Sequence, residues 1–109
     1  MKRKLKIFFF GAMVLLQVQF INAQSVSDVA GRYVSKLSSS DVLLLIEDGK
    51  FVLRESGFTI KGKWDLEDDN EIRFKWSEFG EPLKTRAKAK YKNGRIIDQD
   101  GVVWIKNDD

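Results

Sequence analysis

The sequence predicts an all-β fold, an antiparallel up-and-down meander of about eight short strands forming a small barrel or strongly curled sheet. Three observations predict it. Apolar and polar residues alternate with period two from Gly31 onward. The breaks between alternating runs hold Asp48-Gly49, Asn93-Gly94 and Asp100-Gly101, dipeptides that suit tight hairpins because the central residues take positive φ. No run after residue 30 carries a helical period over a useful length.

The elements follow in chain order. Lys2, Arg3, Lys4 and Lys6 form a basic start, Ile7 to Phe20 is apolar apart from Gln17 and Gln19, and Ile21-Asn22-Ala23 offers a small residue at a cleavage position. This is the layout of a secretory signal peptide, so residues 1–23 are expected to be removed after Ala23. The apolar run is shorter than the roughly 20 residues a spanning helix needs, so no membrane span is expected in the processed protein. Residues 24–109 are expected to form one domain, periplasmic or secreted. Ser25 to Ala30 suits a single helical turn capped by Ser25 or Ser27. Strands are then expected near residues 31–37, 41–47, 50–55, 58–66, 71–76, 84–92, 95–98 and 102–106, with longer loops at Ser38 to Ser40, Glu67 to Asn70 and Ser77 to Leu83.

Two-residue turns would fix the register. A turn at Asp48-Gly49 sets Ile46 opposite Phe51 and Leu44 opposite Leu53, and one at Ser56-Gly57 sets Leu53 opposite Ile60 and Phe51 opposite Gly62. The inward face then runs through Phe51, Leu53, Phe58, Ile60, Gly62, Trp64 and Leu66, and continues with Ile72, Phe74, Trp76, Ala87, Ala89 and Tyr91. In that register Leu43, Leu45 and Val52 point outward together, an apolar patch to be covered by the segment around Val26, Val29 and Ala30 or by a protein partner. Trp104 faces out if the Asp100-Gly101 turn has two residues, and inward with one more.

Composition narrows the chemistry. The 109 residues include no Cys and no His, which excludes thiol catalysis, imidazole acid–base chemistry and the usual zinc sites. Four of the 19 basic residues fall in residues 1–23, leaving 15 bases against 16 acids, so the domain is nearly neutral and nucleic-acid binding has no support. The acidic run Asp65, Glu67, Asp68, Asp69, Glu71 lacks the spacing and glycine of a calcium loop, and no metal or cofactor is expected. Glu55 and Asp98 fall on the inward face, where a carboxylate needs partners or a place at a barrel end in water. With no nucleophile or oxyanion site beside them, no enzyme is expected.

Gly31-Arg32-Tyr33, Asp48-Gly49-Lys50-Phe51, Gly62-Lys63-Trp64 and Gly101-Val102-Val103-Trp104-Ile105-Lys106 resemble the small lipocalin-like domains of exported bacterial proteins. The resemblance covers residues 29–106 and implies a closed or partly closed barrel that binds apolar ligands. On that reading Tyr33, Phe51, Phe58, Trp64, Phe74, Trp76 and Tyr91 line a pocket for a small apolar or glycan-like ligand. The same aromatics also serve as plain core, and an eight-stranded barrel is either just filled or wide enough for one small ligand. The alternative function is an interaction domain with a solid core that works through its outer surface. Its contact residues would be Leu43, Leu45 and Val52, with Lys88 and Lys90 from the basic stripe Lys84, Arg86, Lys88, Lys90, Lys92.

Overall fold

A computed structural model describes residues 24–108, so the expected signal peptide lies outside the described residues. The chain opens with a single helical turn, α1 (Val26–Val29). Ser25 caps it: the Ser25 side chain accepts from the Asp28 amide while the Asp28 carboxylate accepts from the Ser25 amide, a reciprocal capping box. Eight strands follow: β1 (Gly31–Ser35), β2 (Val42–Leu45), β3 (Lys50–Glu55), β4 (Phe58–Glu67), β5 (Glu71–Trp76), β6 (Lys84–Lys92), β7 (Arg95–Asp98) and β8 (Val103–Lys106). A 3₁₀ turn at Asp68–Asn70 joins β4 to β5. Each strand pairs antiparallel with the next, and β8 pairs with β1 through Tyr33↔Lys106, Val34↔Ile105 and Ser35↔Trp104. The expected all-β meander is therefore a closed barrel and not an open curled sheet. No helix among the described residues is long and apolar enough to cross a membrane.

The register of β2 departs from the expectation. Leu43 stands opposite Leu53 and Leu45 opposite Phe51. Leu43 and Leu45 thus point into the barrel, buried, while Ile46 is exposed. The cause is the length of the hairpin. Ile46 exchanges backbone hydrogen bonds with Lys50 and Gly49, so Glu47, Asp48 and Gly49 form a three-residue loop with only Gly49 at positive φ. The Asp100-Gly101 hairpin repeats the pattern with Gln99, Asp100 and Gly101, which turns Trp104 inward. Ser56-Gly57 and Asn93-Gly94 are true two-residue turns, with both central residues at positive φ. One extra residue reverses every side chain of a strand, so the expected outer patch of Leu43, Leu45 and Val52 does not exist. Only Val52 faces out, half-buried.

An up-and-down barrel has two ends, and they differ. One end carries the β2–β3, β4–β5 and β6–β7 connections together with α1. Val29 is fully buried there, so it plugs the barrel and does not cover an outer patch. The Tyr33 hydroxyl donates to the Val29 carbonyl, and burial holds the Tyr33 phenol well above its ordinary pKa, so it stays a donor. Lys106 Nζ donates to the Asp28 carbonyl at 2.9 Å, and Trp64 Nε1 to the Ile46 carbonyl at 2.8 Å. Tyr33, Leu45, Trp64, Ile72 and Tyr91 fill this end solidly.

Above that plug, Gly62 lets the barrel wall fold close. A Cβ at position 62 would lie 2.1 Å from the Lys75 carbonyl oxygen and 2.9 Å from the Phe51 ring. That space is used by Phe51, whose ring packs edge-on against Phe74 at 5.1 Å and Trp76 at 6.0 Å. Gly62→Ala should therefore destabilise by about 1–3 kcal/mol, the usual cost of overpacking against groups that cannot move aside. Urea denaturation of the variant checks this, and an unchanged midpoint would show that β4 and β5 separate easily.

Candidate functional site

The opposite end of the barrel is hollow. A cavity of about 330 Å³ opens at the end that carries the β1–β2, β3–β4, β5–β6 and β7–β8 connections, with Asp98, Gln99 and Asp100 at its edge. Leu43, Phe51, Phe74, Ala89, Ile96 and Trp104 are its buried lining, and Leu53, Ile60, Trp76 and Ala87 are the half-buried walls nearer the mouth. The hollow has a sequence cause. β6 places Ala87 opposite Phe74 and Ala89 opposite Ile72, so at this depth its inward-facing side chains are methyl groups. The volume lies at the low end of ligand pockets, and the apolar lining with a few polar groups matches their usual make-up.

Polar groups collect at the rim. Asp98 is spent on structure: Oδ1 accepts from the Asp100 and Val102 amides at 2.9 and 3.0 Å, and Oδ2 accepts from Trp104 Nε1 at 3.0 Å. It thereby fixes the β7–β8 loop and satisfies the one polar atom of the Trp104 ring. Arg86 leaves the expected basic stripe because the β5–β6 ladder slips between Phe74 and Lys75, a bulge that leaves Arg86 without a cross-strand partner. Its Nε donates to the Trp76 carbonyl at 2.6 Å and its Nη2 to Glu81 at 3.1 Å, with Glu78 3.6 Å from Nη1. Glu78 also accepts from Trp76 Nε1 at 2.8 Å, which holds the indole against the cavity wall. Glu55 lines the mouth with no hydrogen bond or ion pair among the described residues. Desolvation raises its pKa, helped by the carboxylates of Asp41, Asp98 and Asp100.

The seven aromatics predicted to line one pocket separate into three groups. Phe51, Phe74 and Trp76 line the cavity. Tyr33, Trp64 and Tyr91 are core at the plugged end and do not reach it. Phe58 stands at the rim opposite Glu55, 74% exposed, because β4 begins there and nothing lies above it. Lys88 edges the mouth, whereas Lys90 points outward and donates to the Asp69 carbonyl. Leu43 and Trp104 also line the cavity, which local patterning does not show: their orientation depends on the two hairpins whose extra residue the dipeptides do not announce. The outward line of Lys88, Lys90 and Lys92 otherwise stays exposed.

No protein-family model, curated protein or solved structure matches the chain. The geometry alone defines the class: a closed eight-stranded antiparallel barrel, solid at one end and hollow at the other, compatible with a lipocalin-like fold.

The raised pKa of Glu55 has a pH consequence. The fold favours its neutral form, so the stability it contributes is complete below the ordinary glutamate value of about 4.3 and is lost as pH rises through the higher folded value. Glu55→Gln should melt above the wild type at about pH 7 and together with it near pH 3. Thermal melts across that range check it; parallel curves would mean that solvent screens the mouth carboxylates.

Proposed function

We propose that this protein is an exported binding domain of lipocalin-like type that holds one small, mainly apolar ligand in the open half of its barrel. The single observation behind this reading is the cavity of about 330 Å³, lined by Phe51, Phe74, Trp76 and Trp104 and open to solvent at one end. A concave apolar site of this size with a few polar rim groups is the ordinary form of a small-molecule site. The cavity takes a ligand by burial and stacking, and Glu55, Lys88 and Asp100 at the mouth face its outward end. This is a binding role without catalysis: Asp98 and Arg86 are committed to holding the loops, and Glu55 has no nucleophile or activated base beside it. Export to the periplasm or outside the cell belongs to the same proposal and rests on residues 1–23. The alternative outer-surface role loses its main carrier, because Leu43 and Leu45 are inside the barrel.

A neutral apolar fluorophore such as N-phenyl-1-naphthylamine tests the reading. It should brighten on binding and quench tryptophan emission, and Ala87→Phe, which fills the hollow, should abolish both while the thermal midpoint is kept. Quenching that survives Ala87→Phe, or no binding to the wild type, would sink the cavity as the site.

A further inference from the structure

The outer wall of the barrel is polar over β4 to β6 but not over β8, β1, β2 and β3. Tyr33, Leu43, Leu45, Phe51 and Trp104 point inward and are buried, so their neighbours along each strand point out. The register joins these outward residues into one apolar stripe. Ile105 stands opposite Val34, Val34 opposite Val42, and Leu44 opposite Val52. Val103 and Ile105 are successive outward residues of β8, as Val42 and Leu44 are of β2. Every link is a cross-strand pair or a same-face neighbour, so the stripe is continuous. All six residues are half-buried, and none belongs to the core cluster. The charges that adjoin the stripe have one sign. Arg32 pairs with Leu44, Lys61 with Val52, Arg54 with Val42 and Arg95 with Ile105. Lys36 lies two residues beyond Val34, and Lys50 two before Val52. Of these six bases only Lys50 forms an ion pair among the described residues, with Asp48. Asp41 and Asp108 also lie close, accepting from the backbone amides of Ser56 and Arg32. Six bases against these three acids leave a surplus of three positive charges. Within the stripe, a hollow of about 110 Å³ is lined by Val42, Leu44 and Val52 together with Arg32 and Arg54.

We propose that this wall is a docking face for a protein partner whose contact segment carries an apolar side chain flanked by Asp or Glu. An apolar centre inside a polar rim rich in arginine is the usual anatomy of a protein interface. The hollow takes the apolar side chain, and the guanidinium groups of Arg32 and Arg54 take carboxylates beside it. Such charge-assisted pairs are stronger and more directional than neutral ones, and opposite potentials also speed the encounter. The sign of the rim selects among occupants. A second copy meeting this face with its own would set bases against bases, which costs affinity. A lipid surface needs apolar side chains that enter the headgroup layer, whereas these lie half-buried in the wall among longer basic side chains. An acidic and apolar protein segment meets both the floor and the rim. The face lies outside the barrel and leaves the cavity free, so it stands or falls separately from ligand binding.

Selection of a displayed random-peptide library on the protein, used as expressing cells process it, is the test. The enriched sequences should hold Leu, Ile or Phe flanked by Asp or Glu. A peptide of that kind, synthesised and titrated, should bind wild type more weakly as salt is raised. Leu44→Glu and Arg54→Glu should each weaken it on the order of tenfold or more, as expected at the centre of an interface. Both side chains lie on the outer face, so the variants should keep the wild-type melting temperature. Replacing the acids of the peptide by Lys should abolish binding to wild type and restore part of it to Arg54→Glu. No enrichment, or enrichment of basic or uncharged sequences, overturns the proposal. So does binding that survives Leu44→Glu and Arg54→Glu but is lost in Ala87→Phe, which would place the peptide in the cavity. Self-association of wild type that Leu44→Glu abolishes also overturns it, because a second copy would then be the occupant.

Discussion

Three residue pairs join β8 to β1, and through them the last strand of the chain meets the first. Closure removes the free sheet edges that would otherwise recruit other chains. It also sets which residues can be inside, because every register around the ring must return to its start. The seam is short, and contacts beyond it reinforce it. The Asn107 amide donates to the Arg32 carbonyl at 2.6 Å, the Arg32 amide to Asp108 Oδ1 at 2.9 Å, and Lys106 reaches the carbonyl of Asp28 at the end of α1. Without a disulfide, a chain of this size depends on such closure together with its core. The helical turn before β1 therefore belongs to the barrel's lock, with Val29 as its bolt and the Tyr33 hydroxyl as its catch.

From that lock the interior changes character along the barrel axis. The plugged end holds Tyr33, Trp64, Ile72 and Tyr91 in close packing. Toward the mouth the apolar side chains that β6 supplies are only Ala87 and Ala89, while the other strands still supply Phe51, Phe74 and Trp76. The question whether eight strands are filled or hollow thus has both answers in one molecule. Gly62 contributes by letting β4 approach β5 and leaving the Phe51 ring room to stand between Phe74 and Trp76. The hollow is walled mainly by aromatic and branched aliphatic side chains, and Ala87 and Ala89 leave the space open along β6, which shapes a site for one compact ligand.

At the rim, polar side chains serve geometry before they serve recognition. Asp98 orders the β7–β8 loop and seats Trp104, and Arg86 staples the β5–β6 turn while Glu78 holds Trp76. Asp41 joins the β1–β2 connection to the neighbouring hairpin by accepting from the Ser56 amide at 3.1 Å. The mouth is consequently built on loops tied to one another, which holds the cavity lining and its rim in fixed relation.

The sequence by itself determined the all-β class, a capped helical turn within residues 25–30, the approximate position of all eight strands and the inward face from Phe51 to Tyr91. These follow from local rules: period-two alternation, turn dipeptides and capping residues act over a few neighbours. Tertiary structure alone decided the orientation of β2 and of Trp104. Val42-Leu43-Leu44-Leu45-Ile46 is apolar at every position, so alternation offers no preferred face. An Asp-Gly dipeptide also fits a three-residue loop as well as a two-residue one. The choice was made by pairing with β1, where Tyr33 stands opposite Leu43, and by the demand that the ring close. The division of the aromatics into plug, cavity wall and exposed rim was likewise beyond local reading. Distance along the barrel axis depends on strand stagger, a property of the whole closed sheet.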